Sequence, residues 1–116
     1  MRNMSFALTT AQVLDRSKTV TRRDGWRNLK AGELIQAVEK GMGLKPGEKV
    51  RRLAVLRVRS VRREPLWKIN THDCRREGFP ELNPEQFVEM FCRSHIGCTP
   101  STVVTRIEFD YVEASR

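Results

Sequence analysis

Two stretches of this chain alternate with a period of two, and only short helical signals lie between them. From Lys49 to Glu64, Ala54, Leu56 and Val58 alternate with Val55, Arg57 and Arg59, so one face of a strand turns basic. Val61 breaks that parity, which predicts a bulge or sharp bend near Ser60. From Thr102 to Val112, Val103, Thr105, Ile107, Phe109 and Tyr111 share one face, with Arg106, Glu108 and Asp110 on the other, as expected of a half-buried strand. Two long strands without a long helix between them exclude a βαβ repeat.

Shorter signals fill in the rest. Thr9-Thr10 can cap a helix over about residues 11 to 17 that buries Val13 and Leu14. Lys18 to Arg23 is rich in β-branched residues and reads as a strand entered directly from that helix, broken by Asp24-Gly25. Residues 33 to 38 read as a second strand, followed by a turn-rich connector with Gly41, Gly43, Pro46 and Gly47. Asn70 to Gly78 suggests a helical turn. The clearest local signal is Asn83 as N-cap, Pro84 as first helical residue and Gln86 at the capping-box position, with Phe87, Met90 and Phe91 at i, i+3 and i+4. The expected architecture is α+β: one domain over residues 1–116, a small mixed sheet curled into a barrel with two or three short helices at its mouth.

Charge narrows the function. Lys and Arg number 22 against 14 Asp and Glu, a net +8, and sixteen of the cations are Arg, whose guanidinium suits bidentate phosphate contacts. Six arginines fall between Arg51 and Arg63 with no acidic residue between Glu48 and Glu64. On a regular strand Arg57 and Arg59 stand about 7 Å apart, close to the phosphate spacing of a nucleic-acid strand. With Arg62, Arg63, Arg22 and Arg23 they are the candidate phosphate contacts, although the same charges also suit a solvated edge strand. Trp26, in the loop after the first basic strand, is a candidate base-stacking platform, ahead of Trp67 and Tyr111.

Three further groupings bear on chemistry. Lys18 and Thr21 could be a base and a nucleophile, but on a regular strand they face opposite sides and converge only if Lys18 belongs to the preceding turn. Glu77, between Arg76 and Gly78, reads on its own as a local ion pair. His72, Cys74, Cys92, His95 and Cys98 are five N/S groups without the spacing of a zinc site, so neither metal nor cofactor is expected. An odd number of cysteines and no apolar leader fit a reducing cytoplasm, and no segment is long and apolar enough to span a membrane.

The segment Leu14-Asp15-Arg16-Ser17-Lys18-Thr19-Val20-Thr21-Arg22-Arg23 resembles the signature of ASCH domains, small β-barrels related to the PUA RNA-binding fold. The resemblance continues through Lys30-Ala31-Gly32-Glu33, Glu77-Gly78-Phe79 and the closing Val104-Thr105-Arg106-Ile107-Glu108-Phe109, in the family's order, and the chain looks most like small bacterial and phage members. It implies a cleft for RNA or a modified nucleoside between barrel and helices, with DNA as another polyanion such a surface could take. In one branch the activity is an amidohydrolase acting on acetylcytidine, and the matching positions are Lys18, Thr21 and Glu77, followed by Arg23. Other members act as ribonucleases or as RNA-binding modules. The family's Gly two residues before the Lys is Arg16 here; a left-handed backbone there would cost about 1 kcal/mol. Hydrolase, non-catalytic nucleic-acid module and protein-interaction module using the basic face therefore all stand as readings of the sequence.

Overall fold

The computed structural model describes residues 1–41 and 43–113. Five strands form one sheet: β1 (Arg2–Ser5), β2 (Val20–Arg23), β3 (Leu34–Val38), β4 (Arg52–Pro65) and β5 (Val103–Tyr111), in the order β1-β3-β4-β5-β2. Among the described strands only β1 and β3 run parallel. The sheet curls into a half-barrel whose two edges are β1 and β2. Three helices accompany it: α1 (Thr10–Leu14), α2 (Thr71–Arg76) and α3 (Pro84–Arg93). Single 3₁₀ turns at Ala7–Thr9 and Leu66–Lys68 lead into α1 and α2. Among the described residues no helix is long and apolar enough to cross a membrane.

The predicted break in β4 is a β-bulge. Val58 pairs with Phe109 and Ser60 with Glu108, leaving Arg59 as the extra residue. The bulge lets a 14-residue strand bend from one hydrophobic cluster to the next. Leu56 and Val58 join Met4, Phe6, Val13, Ile35, Ala37, Ile107 and Phe109 inside the curl. Beyond the bend, Leu66 packs with Ile69, Cys74, Phe87, Phe91 and Val104 beneath α2 and α3. Strand β5 belongs to both clusters, so it is covered on two faces rather than half-buried. Val104 and Arg106 are buried on the side expected to be solvated, and Val103 is exposed.

The chain departs from expectation at several other points. Strand β1 lacks alternation and was not anticipated; its pairing with β3 supplies the hydrogen bonds that its own sequence does not advertise. Helix α1 is shorter than predicted. Asp15 Oδ1 accepts from the Ser17 amide at 2.8 Å, and Arg16 takes φ 64°, which ends the helix and leaves Leu14 exposed. Thr9 occupies the N-cap position of α1 without a side-chain cap, and the Thr10 hydroxyl donates back to the Phe6 carbonyl at 3.0 Å. Regular strand geometry begins at Val20 rather than Lys18.

Helix α3 forms as its sequence dictates. Asn83 Oδ1 accepts from the Gln86 amide at 2.8 Å, the Gln86 side chain accepts from the Asn83 amide at 2.9 Å, and Phe87 and Phe91 face the second cluster. Asn83→Ala should lower stability by about 1 kcal/mol in urea unfolding, because the Gln86 amide then loses its side-chain acceptor.

Candidate functional site

The six-residue helix α2 is too short to hold by itself and is capped by Asn70, whose Oδ1 accepts from the Asp73 amide at 2.8 Å. Its last turn ends at Glu77 and Gly78. Gly78 has φ +98°, and a Cβ there would come within 2.9 Å of the Gln12 side chain. That close approach lets Gln12 Nε2 donate to the Gly78 carbonyl at 3.1 Å, tying α1 to the end of α2. The strand that follows α1 therefore starts directly beneath Glu77.

Lys18 lies in the turn between α1 and β2, the condition under which it and Thr21 could converge. Lys18 Nζ donates to Glu77 Oε1 at 2.8 Å and to the Glu77 carbonyl at 2.7 Å, with both side chains buried. Tyr111 holds the turn from the other side by donating its hydroxyl to the Lys18 carbonyl at 2.6 Å. Burial pushes the Tyr111 phenol up to about 12. Arg16 bears the left-handed backbone anticipated from the missing glycine, with its guanidinium 5.4 Å from the Tyr111 ring centroid and an ion pair to Glu113. Lys18 reaches Glu77 despite that strain.

Arg22 was a candidate phosphate contact, and the structure assigns it other work. Its side chain is buried and donates to Asp73 Oδ2 at 2.7 Å, Glu64 Oε2 at 3.2 Å and Glu77 Oε2 at 3.2 Å. Arg106 reaches Asp73 from β5 through two hydrogen bonds of 2.7 and 3.1 Å. Lys18, Arg22 and Arg106 thus face Glu64, Asp73 and Glu77, three cations against three anions under α2. Desolvation alone would raise the Asp73 carboxyl. The hydrogen bonds from Arg106 and Arg22 outweigh it and hold Asp73 well below the usual carboxylate range. Desolvation lowers the Lys18 ammonium below its ordinary value, and Glu77 pulls it only part of the way back.

Arg23 stands outside this balance. It is half-buried, donates from Nε to Thr21 Oγ1 at 3.1 Å, and forms no salt bridge among the described residues. Its guanidinium carbon lies 4.6 Å from the Phe6 ring centroid. Burial brings it down to about 10, with Glu77 working in the opposite direction, so it remains a cation at neutral pH.

These residues form one end of a cleft of about 250 Å³ that spans the two sheet edges. Phe6 and Ala7 line it from the β1 side, Lys18, Thr21, Arg22 and Arg23 from the β2 side. The opposite wall is aromatic: Phe79, Phe87, Phe91 and His95. His95 stacks on Phe91 with centroids 4.0 Å apart and planes 7° from parallel, and its Nδ1 is 2.8 Å from the Phe91 carbonyl, which fixes the ring. Lys18, Thr21, Glu77 and Arg23 therefore do come together. The sequence reading missed the aromatic wall, whose phenylalanines passed as core and whose His95 was grouped with the cysteines, and the support from Glu64, Asp73 and Arg106. Arg106 was the one available signal: a lone cation inside Val-Val-Thr-Arg-Ile.

The arginine strand is a separate feature. Arg57, Arg59, Arg62 and Arg63 are exposed, and none lines the cleft. The bulge interrupts the regular row at Arg59, which faces Asp110 at 3.5 Å and Glu108 at 3.9 Å. Arg62 Nε donates to Glu64 at 2.5 Å, whereas Arg63 bonds the Thr105 hydroxyl at 2.7 Å. Trp26 packs against the inner cluster with Arg2 4.7 Å from its ring centroid, so one face of the expected platform is already occupied. Among the described residues no three His, Cys, Asp or Glu side chains converge as a metal site would require.

No family model and no curated protein matches this sequence. Solved structures do match its fold. An ASCH domain from Lactobacillus crispatus JV V101 superposes with TM-score 0.63 at 13% identity, over 95% of this chain and 78% of the other. A protein of Enterococcus faecalis V583 described under the family model DUF984 gives 0.61 at 17%, over 96% and 78%. The hypothetical protein PH0355 gives 0.65 at 14%, over 96% of both chains. At these identities the likeness is one of fold, and it is the fold that the Lys18–Arg23 segment led us to expect.

The buried network generates a stability prediction. Asp73→Asn leaves Arg22 and Arg106 underpaired and should cost about 3 kcal/mol in urea unfolding. Because the Asp73 carboxyl is depressed in the folded state, its contribution is complete above the ordinary carboxylate range, near pH 4, and is lost as pH falls below it. The wild type should therefore lose stability steeply below about pH 4, and Asp73→Asn should show a shallower acid limb.

Proposed function

We infer, from a fold shared with an ASCH domain and from the cleft itself, that this protein binds single-stranded RNA or a modified nucleoside with one base inside the cleft. The observation that carries the reading is Arg23: a half-buried guanidinium that lines the cleft without a salt bridge among the described residues, set between the Thr21 hydroxyl and the Phe6 ring. Such a pairing of flat apolar surface with fixed donors suits a nucleobase, which offers a π-face and carbonyl acceptors together. At about 250 Å³ the cleft falls below the roughly 300–1,000 Å³ of pockets for drug-sized ligands, so it takes one base or nucleoside rather than a duplex. The exposed Arg57 and Arg63 would then meet flanking phosphates, and DNA single strands would compete only weakly if the cleft also engages the 2′-hydroxyl.

A hydrolytic reading has its own support in the 2.8 Å Lys18–Glu77 pair beside Thr21. One proton held between amine and carboxylate can move either way, so the pair could accept the Thr21 proton as that hydroxyl attacks an amide carbonyl. It could then give the proton to the departing amine, and a water deprotonated by the same pair would release acetate from the acetylated Thr21 and restore the hydroxyl. Acetylcytidine is the substrate this predicts; a ribonuclease would use the same groups on a phosphodiester.

Binding of labelled single-stranded RNA should weaken steadily with salt, and Arg23→Met should reduce affinity about tenfold. Salt-independent binding, or an Arg23→Met variant as tight as wild type, would sink the reading. Incubation with acetylcytidine followed by chromatography separates the hydrolase from the binder. Cytidine from wild type but not from Thr21→Val, a substitution that leaves the buried ion pairs intact, establishes hydrolysis.

A further inference from the structure

Helix α3 ends in a tight turn that both walls the cleft and brings two cysteines together. Ser94 and His95 line the cleft, and on either side of them Cys92 and Cys98 meet with Sγ atoms 2.6 Å apart. Amides within the turn reinforce the approach: His95 donates to the Cys92 carbonyl at 3.4 Å and Cys98 to the His95 carbonyl at 3.1 Å. Gly97 takes φ +77° to turn the chain back. Both cysteines are free thiols, and about 0.5 Å of further approach would bring them to covalent distance. They also line a second, open groove on the outer side of α3 with Val88, Arg93 and Pro100, which gives a small oxidant access without passing through the cleft. Cys74 is buried in the second cluster and takes no part.

We propose that Cys92 and Cys98 are a thiol-oxidation site, at which a small disulfide such as oxidised glutathione joins them reversibly and fixes the cleft wall that carries His95. The chemistry balances in two exchanges. The Cys98 thiolate attacks one sulfur of oxidised glutathione, breaking its S–S bond, forming a mixed disulfide and releasing one glutathione thiolate. Cys92 then loses its proton to solvent and attacks the Cys98 sulfur, forming the internal disulfide and expelling the second glutathione. Two protein thiols are oxidised and one glutathione disulfide is reduced. Desolvation, together with the neighbouring Cys98, pushes the Cys92 thiol up to about 11, which suits it to the second, intramolecular step rather than the first.

The linkage closes a seven-residue loop around His95, whose ring is already stacked on Phe91 and tied to the Phe91 carbonyl. Loss of motion in that loop removes an ordering cost from whatever binds against the wall. The effect on ligand affinity rests on the cleft reading above; the disulfide and its effect on His95 do not.

The test equilibrates the full chain in glutathione buffers of graded ratio and maps the cysteines by mass spectrometry after alkylation. The His95 ring resonances and the affinity for single-stranded RNA are followed in the same samples. The expected result is a Cys92–Cys98 linkage with the mass of two hydrogen atoms lost, a shifted His95 signal, and RNA binding about fivefold tighter in the oxidised form. Cys92→Ser and Cys98→Ser variants should each abolish all three responses. Persistent glutathione adducts on wild type, or disulfide-linked pairs of chains, would overturn the proposal. So would an internal disulfide that leaves both His95 and RNA affinity unchanged while RNA binds. A redox-dependent His95 signal without RNA binding in either state would support the device and refute the ligand assigned to the cleft.

Discussion

Everything about the cleft depends on how six buried charges neutralise one another. Lys18, Arg22 and Arg106 come from the turn before β2, from β2 and from β5, whereas Glu64, Asp73 and Glu77 come from the end of β4 and from the α2 segment. An unpaired buried ion costs several kcal/mol, so no one of these segments can occupy its place unless the others occupy theirs. The network behaves as a registration device: it locks a six-residue helix, too short to persist alone, against two strands brought together from opposite ends of the chain. Desolvation offsets much of the Coulomb attraction, so the net contribution of the network to stability is smaller than the loss on removing any one partner.

That balance explains why the site presents so few free charges in a chain of net +8. Three cations near the cleft, Lys18, Arg22 and Arg23, look equivalent in sequence. Two are matched by carboxylates, and among the described residues only Arg23 is left with a hydroxyl and an aromatic face. Surplus charge elsewhere is carried on exposed β4, where Asp110, Glu108 and Glu64 answer part of it. Counting arginines gives the sign of the field but says little about which of them meets a ligand.

The sequence is legible where a pattern is local. The capping box at Asn83 and Gln86, the strands β4 and β5, and the parity break at Ser60 each report a short-range physical requirement, and each appears in the structure where expected, although β5 is covered on both faces. Strand β1 was illegible because Arg2-Asn3-Met4-Ser5 has no alternation; it is a strand only by pairing with β3 more than thirty residues away. Arg106 was misread for a related reason. Alternation marks which residues share a face but not whether that face is covered, and only Asp73 of α2 makes an arginine tolerable there. Likewise Lys18, Thr21 and Glu77 could be picked out by resemblance, whereas their convergence depends on Lys18 lying in a turn, which a strand reading denied it.

The aromatic wall shows how the same residue types can serve two ends of one helix. Phe87 and Phe91 are buried in the second cluster, yet both also line the cleft, because α3 lies along the seam where that cluster opens between the sheet edges. A residue in that position cannot be optimised for packing alone: enlarging it fills the cleft, and shrinking it leaves a cavity beneath the helix. His95 escapes this conflict by sitting past the last helical turn, where its ring extends the wall without supporting the core. The part of the wall free to change is therefore the short turn from Cys92 to Cys98, and adjustment of the cleft without cost to the fold has to act there.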